Sequence, residues 1–239
     1  MHIQVFDSVE RADRAALAGR TAVVIDVLRA TSVMVTALCH GARRILPVVD
    51  VDQAEALARG RMPRPLLGGE RGGVKLPGFD LSNSPAEYTA DRVAGREIVI
   101  STTNGTRAID LAAGADKLFL ACYGNVSAVA EALLARGQDV VILCAGTAGR
   151  FSLDDILCAG ALIDALAARG AISLEDVGQA CLMCYRGCAG RELEALDSCA
   201  HAAKLRRIGY GADIALCFTK DVFRGVPVFE DGVIRLMEN

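Results

Sequence analysis

Residues 97–110 read EIVISTTNGTRAID: a short apolar run, then Ser101, Thr102, Thr103, Asn104, Gly105, Thr106 and Arg107, then the start of a helix-period segment. Glu97–Ile100 is too short for a buried helix and too apolar for a surface loop, so it reads as a core strand. A plain turn needs only one or two residues that tolerate positive φ. Four hydroxyls, an amide and a guanidinium at a strand end are more than a turn requires. The stretch is therefore a βα unit whose connection looks like a receptacle for an anion, with the helix N-terminus adding backbone N–H donors.

The same strand-then-helix alternation recurs outward from it. AVVIDVL (22–28), RILPVV (44–49), KLFLACY (117–123) and DVVILCA (139–145) are runs rich in Val, Ile and Leu, each followed by a helix-period segment. That alternation predicts an α/β fold with mostly parallel sheets flanked by helices. Two or three longer helices are expected over residues 152–209, and VPVFEDGVIRLM (226–237) reads as a short closing hairpin. Ser84-Pro85 reads as a helix N-cap followed by Pro at the first helical position. The stretch 66–85, LLGGERGGVKLPGFDLSNSP, has five Gly and two Pro in twenty residues and reads as a long functional loop. A soft division near residue 138 separates an N-terminal α/β part (1–138) with most of the anion-site loops from a helix-rich α/β part (139–239).

The chain has 239 residues, 52% of them hydrophobic, which is ample for a core. A formal net charge of −3 without runs of like charge gives no footprint for nucleic acid or an anionic membrane. No segment approaches the roughly 18 apolar residues of a membrane span, so a cytoplasmic protein is expected. The sequence leaves room for a homo-oligomer. Nine cysteines are scattered through apolar stretches and are expected as free thiols. Cys181, Cys184 and Cys188 have metal-like spacing, but no second Cys/His pair stands nearby, so a core-facing helical stripe is expected.

Ligands of open α/β sheets bind beyond the carboxyl ends of the strands. Asp26, Arg29, Thr31 and Ser32 follow the first of these strands, and Glu70, Arg71 and Lys75 lie in the Gly-rich stretch. Thr103, Asn104, Gly105, Thr106 and Arg107 follow the third, Asn125 the fourth, and Thr147 the fifth. Arg29, Arg71, Lys75 and Arg107 are the cations available to an anionic substrate, and the hydroxyl and amide residues are its donors. A P-loop is absent, GGERGG lacks dinucleotide-binding spacing, and Asp26-Val27-Leu28-Arg29-Ala30-Thr31 has Leu28 where a phosphatase DxDxT loop needs its second Asp.

The segments AVVIDVLRATS, LLGGERGGVKLPGFDLSNSPAEY, STTNGTRAI and CAGTAGRFSLDD, in this order, closely resemble the 2-phosphosulfolactate phosphatase family over almost the whole chain. The resemblance implies an α/β fold peculiar to that family and a Mg²⁺-dependent phosphatase of coenzyme M biosynthesis. Such an enzyme hydrolyses 2-phospho-3-sulfolactate, or a similar phosphorylated hydroxy acid. Asp26, Arg29 and Glu70 are then expected in catalysis, with Asp26, Glu70 and Asp155 as hard-oxygen ligands of Mg²⁺. The family usually carries Glu-Asp at Asp154-Asp155 and His-Gly at His201-Ala202, and a lone helical histidine is read as structural. Metal-bound water, Asp26 itself and, more distantly, Cys144 all stand as nucleophiles. A non-catalytic small-anion sensor would show similar Arg- and Gly-rich loops, but it would not need carboxylates facing them.

Overall fold

The computed structural model describes residues 1–238. Eleven strands form one sheet: β1 (His2–Phe6), β2 (Thr21–Ile25), β3 (Arg44–Pro47), β4 (Leu66–Arg71), β5 (Val74–Lys75), β6 (Glu97–Ser101), β7 (Lys117–Ala121), β8 (Val140–Cys144), β9 (Ser173–Leu174), β10 (Pro227–Glu230) and β11 (Val233–Leu236). Their order across the sheet is β5-β4-β6-β3-β11-β10-β7-β2-β8-β1-β9. Two parallel blocks, β4-β6-β3 and β7-β2-β8-β1-β9, are joined through the antiparallel hairpin β10–β11. The fold is α/β with a mostly parallel sheet flanked by helices, and all five apolar runs are strands of the parallel blocks. The hairpin turn has Asp231 at φ 50° and Gly232 at φ 77°, the left-handed pair that matches the twist of a two-residue hairpin.

Alternation along the strands divides the core. Ala22 and Val24 of β2, Ile98 and Ile100 of β6, and Leu118 and Leu120 of β7 share one cluster with the helices Ala30–Cys39 and Gly105–Ala112. Val23 and Ile25 face the opposite cluster, under the helices Val126–Arg136, Leu153–Ala167 and Asp176–Cys188. Val99 joins a third, with Ala54 and Ala58 of the helix Val51–Arg59. One cluster thus spans both parallel blocks on one face, while the other face carries two separate clusters. The segments after β2 and β6 also meet directly, Gly105 lying against Ala30 and Asp26, so the sheet is strongly curled. In a flat sheet β6 and β2, with four strands between them, would lie about 24 Å apart at ~4.8 Å per strand.

Several expectations are corrected. The stretch 66–85 is not one loop, because Leu66–Arg71 and Val74–Lys75 pair as strands, with Gly68 and Gly69 inside the first and Gly72 and Gly73 in the turn between them. A Cβ on Gly69, at φ 147°, would lie 2.0 Å from Ser101 O on neighbouring β6, so only glycine fits there. Ser84 does not cap a helix with its side chain. Only a short 3₁₀ turn, Pro85–Glu87, follows it, and its hydroxyl donates to Asp213 instead. The third expected helix, over 191–209, is interrupted: Glu192–Ala195 and a 3₁₀ turn at Leu196–Ser198 precede a fresh start at Ala200–Arg207. The cysteine stripe is incomplete. Cys181 is buried with Leu182 and Tyr185, whereas Cys184 is exposed and Cys188 half-buried. Strand β1, a site of no sequence expectation, pairs with β8 and β9. No helix among the described residues is long and apolar enough to cross a membrane.

Candidate active site

The site begins where β2 ends. The Thr31 hydroxyl donates to the Asp26 carbonyl (2.9 Å), and the Asp26 N–H donates to Thr31 Oγ1 (3.1 Å). Asp26 Oδ1 accepts from the Ala30 N–H (3.1 Å), so the carboxylate caps the helix Ala30–Cys39 at the helix's positive end. Oδ2 takes no hydrogen bond from any described residue. It lies beside Gly105, where a Cβ would come within 2.8 Å of it and within 2.4 Å of Ala30 Cβ. Gly105 is thus the residue that lets the two helix starts meet over Asp26. Burial pushes the Asp26 carboxyl from 3.8 up to about 6. The Ala30 N–H and His201 oppose that rise, and the Asp154 and Glu70 charges add to it.

Glu70, at the end of β4, joins the opposite side of the curled sheet to this centre. Its Oε1 accepts from the Thr103 N–H (2.7 Å) and its Oε2 from the Gly73 N–H, tying the β4–β5 turn to the loop after β6. Arg29 is 1% exposed. It donates to Asp213 Oδ2 (2.7 Å) and to the Gly73 carbonyl (2.7 Å), with its guanidinium 4.1 Å from the Tyr210 ring centroid. Asp213 Oδ1 in turn accepts from the Ser84 hydroxyl (2.7 Å).

Asp26, Arg29, Glu70 and Gly73 line one pocket of about 120 Å³, the size of a small metabolite. Asp26, Arg29, Glu70, Thr103 and Asn104 are brought together there from the ends of β2, β4 and β6. Asn83, Thr147, His201 and Lys204 complete the wall. Asn83 is 4% exposed and its Oδ1 has no hydrogen-bond partner among the described residues. The sequence reading passed over Asn83, Lys204 and Asp213 and set His201 aside as structural. His201 and Lys204 stand one helical turn apart in HAAK and face the pocket together, because the interruption at Leu196–Ser198 restarts the helix there.

The other sequence candidates lie elsewhere. Thr31 and Ser32 are buried, and the Ser32 hydroxyl donates to the Val27 carbonyl (2.8 Å). Arg71 donates to the carbonyls of Glu70 and Val49 and to Ser101 Oγ (2.7, 2.7 and 2.8 Å). Lys75 is exposed on β5, opposite Glu70 in the ladder. Thr106 and Thr102 exchange hydrogen bonds at the start of the helix Gly105–Ala112. Asn125 is fully buried and holds the Cys122 N–H and the carbonyls of Leu120 and Gly225. Arg107, half-exposed, pairs with Glu10 at 3.1 Å outside the pocket wall. An exposed pair of this kind is worth about 0–1 kcal/mol, so Arg107→Ala is expected to leave kcat/KM for a phosphate ester within about threefold of wild type. A fall of tenfold or more in steady-state kinetics would put Arg107 back among the substrate ligands.

Asp155 does not line the pocket. Its Oδ1 accepts from the Val27 N–H and its Oδ2 from the Gly146 N–H, both at 2.9 Å, stapling the loops after β2 and β8. Burial, then Asp154 and Asp26, push its carboxyl well above the usual range. Among the described residues no three His, Cys, Asp or Glu side chains form a group able to hold a metal ion. Cys144 is fully buried, and burial first, then Asp155, raise its thiol well above the ordinary value, away from the reactive thiolate.

The sequence matches the family model for 2-phosphosulpholactate phosphatase over residues 6–232. A Caldanaerobacter subterraneus protein named probable 2-phosphosulfolactate phosphatase is 39% identical over 241 residues, covering 100% of both chains. Proteins of the same name from Symbiobacterium thermophilum and Clostridium perfringens are 43% identical (93% of this chain, 96% of the relative) and 40% identical (100% and 98%).

Proposed function

Because the chain belongs to the 2-phosphosulpholactate phosphatase family, whose members are phosphoric monoester hydrolases, we propose that it hydrolyses 2-phospho-3-sulfolactate to 3-sulfolactate and phosphate with the help of Mg²⁺. The observation that carries this reading is the mixed charge of a single small pocket. Arg29, Lys204 and His201 face it together with the carboxylates of Asp26 and Glu70. A site that only bound a polyanion would gain nothing from two carboxylates, which repel it unless a cation intervenes. The sensor reading is disfavoured on that ground.

The donor set suits a hard divalent cation. Asp26 Oδ2 and Asn83 Oδ1 are oxygens without a partner among the described residues, and the Glu70 charge adds to the cost of ionising Asp26. Mg²⁺ commonly takes one or two protein carboxylates and completes its shell with water and substrate phosphate, so three convergent ligands are not needed. Asp26 and Glu70 are the residues we assign to it, with Asn83 as a neutral third. Asp155 is left to its staple. Bound there, the ion would neutralise charge on the phosphoryl oxygens.

The chain's own groups do the rest. The Arg29 guanidinium, pinned by Asp213 and Gly73, lines the pocket as a fixed positive charge, and Lys204 adds a movable one. Asn104 starts the helix Gly105–Ala112, whose positive end opens beside Asp26. A substrate with phosphate, carboxylate and sulfonate on three carbons matches three cations within about 120 Å³. The proposal extends to a cytoplasmic setting, which nine free thiols suit, and to the coenzyme M pathway that the resemblance implies.

The test is phosphate release from 2-phospho-3-sulfolactate, 2-phospholactate and other phosphorylated hydroxy acids, with and without Mg²⁺. Turnover that is fastest on the sulfolactate ester and lost on chelation is the expected result. Tight binding without turnover would favour the sensor. Full activity after exhaustive chelation would remove the metal.

A further inference from the structure

His201 sits at the start of the helix Ala200–Arg207, on the pocket wall that also carries Asp26. Its Nδ1 lies 3.1 Å from Thr147 Oγ1 and 3.3 Å from Asp154 Oδ2. Asp154 is 1% exposed. Its Oδ1 accepts from the Ser152 hydroxyl, while Oδ2 takes no hydrogen bond among the described residues and lies against the imidazole. A buried carboxylate oxygen without a donor costs about 1–3 kcal/mol or more, so the arrangement favours a proton on Nδ1 and fixes the ring. With Nδ1 turned to Asp154 and Thr147, Nε2 is the nitrogen left for the pocket.

Resting on the phosphatase reading above, we propose that His201 is the general acid that protonates the ester oxygen as it leaves phosphorus, with Asp154 as its positioning residue. In that step the bond from phosphorus to the ester oxygen breaks, and the electron pair stays on the oxygen, which takes the Nε2 proton. Over the turnover one water is consumed. Its hydroxyl ends on phosphorus and its proton restores the imidazolium. Burial draws the imidazole toward its neutral form, but Asp154 and then Asp26 outweigh burial, and Lys204 opposes them only in part, so its proton affinity stands above the ordinary 6.5.

An acid of this kind matters for an aliphatic alcohol, a poor leaving group, and little for p-nitrophenol, which departs as a stable anion. His201→Gln is expected to lower kcat on 2-phospho-3-sulfolactate by about 100-fold or more, and on p-nitrophenyl phosphate by less than about 10-fold. Asp154→Asn should show the same selectivity at smaller size. Equal losses on both esters, in either variant, would overturn the proposal. If thermal melting shows that His201→Gln does not fold, the ratio from Asp154→Asn decides. A wild-type enzyme active on p-nitrophenyl phosphate and 2-phospholactate but not on the sulfolactate ester would refute the substrate alone, and 2-phospholactate then serves as the aliphatic ester. A wild type that releases phosphate from none of them overturns both readings.

Discussion

Asp26→Asn is expected to lower phosphate release by on the order of 10³-fold while the folded protein becomes no less stable. Asn keeps an oxygen that accepts the Ala30 N–H and removes only the charge. That charge is held at a cost, since the carboxyl lies at about 6 in the folded protein against 3.8 ordinarily. The folded state binds the proton more tightly than the unfolded chain. The resulting penalty is therefore fully present above about pH 6, fades as pH falls from about 6 to about 4, and is gone below that. Two pKa units correspond to about 3 kcal/mol. Urea unfolding at pH 7.5 should show the variant equal to or more stable than wild type, with the gap closing near pH 4. Mg²⁺ should raise the melting temperature of wild type and not of Asp26→Asn. A variant that unfolds readily yet keeps its metal response would make Asp26 a structural group.

The second large effect concerns Arg29. Arg29→Ala leaves the Asp213 carboxylate buried without a counter-charge, which typically costs about 3–5 kcal/mol, and it should abolish turnover as well. Arg29→Lys keeps the charge but not the fork that reaches Asp213 and Gly73 at once, so a loss of about tenfold or more in kcat/KM is expected along with lower stability. Adding Asp213→Asn to Arg29→Met should recover much of the stability and none of the activity. If chemical denaturation shows Arg29→Ala within about 1 kcal/mol of wild type, the pair is not part of the fold's support.

The contrast between Arg29 and Arg107 shows what is legible in this sequence. Continuous apolar runs locate the five main strands, because their central residues are buried on both faces of the sheet. Strand β4 is hidden by Gly68 and Gly69, chosen for close approach to Tyr88 and Ser101 and not for strand propensity. Position at a strand end also predicts which edge bears the site, and Asp26, Arg29, Glu70, Thr103 and Asn104 do meet there. It does not predict where a side chain points. Arg71, Arg107 and Asn125 stand at the same edge with their polar groups bound elsewhere. His201, Lys204 and Asp213 come from helices more than a hundred residues away from Asp26 and Glu70. Their approach depends on how those helices pack across the curled sheet, and local pattern carries no information about that.

The hairpin β10–β11 follows all the other described strands along the chain, yet it lies in the middle of the sheet, between β3 and β7. Until residues 227–236 have left the ribosome, two apolar strands face water along their open hydrogen-bonding edges, and the halves of the pocket belong to sheets that are not yet joined. Such edges are templates for pairing with other chains. A nascent chain thus depends on this hairpin to cover both edges, and the site becomes competent only when that keystone is in place.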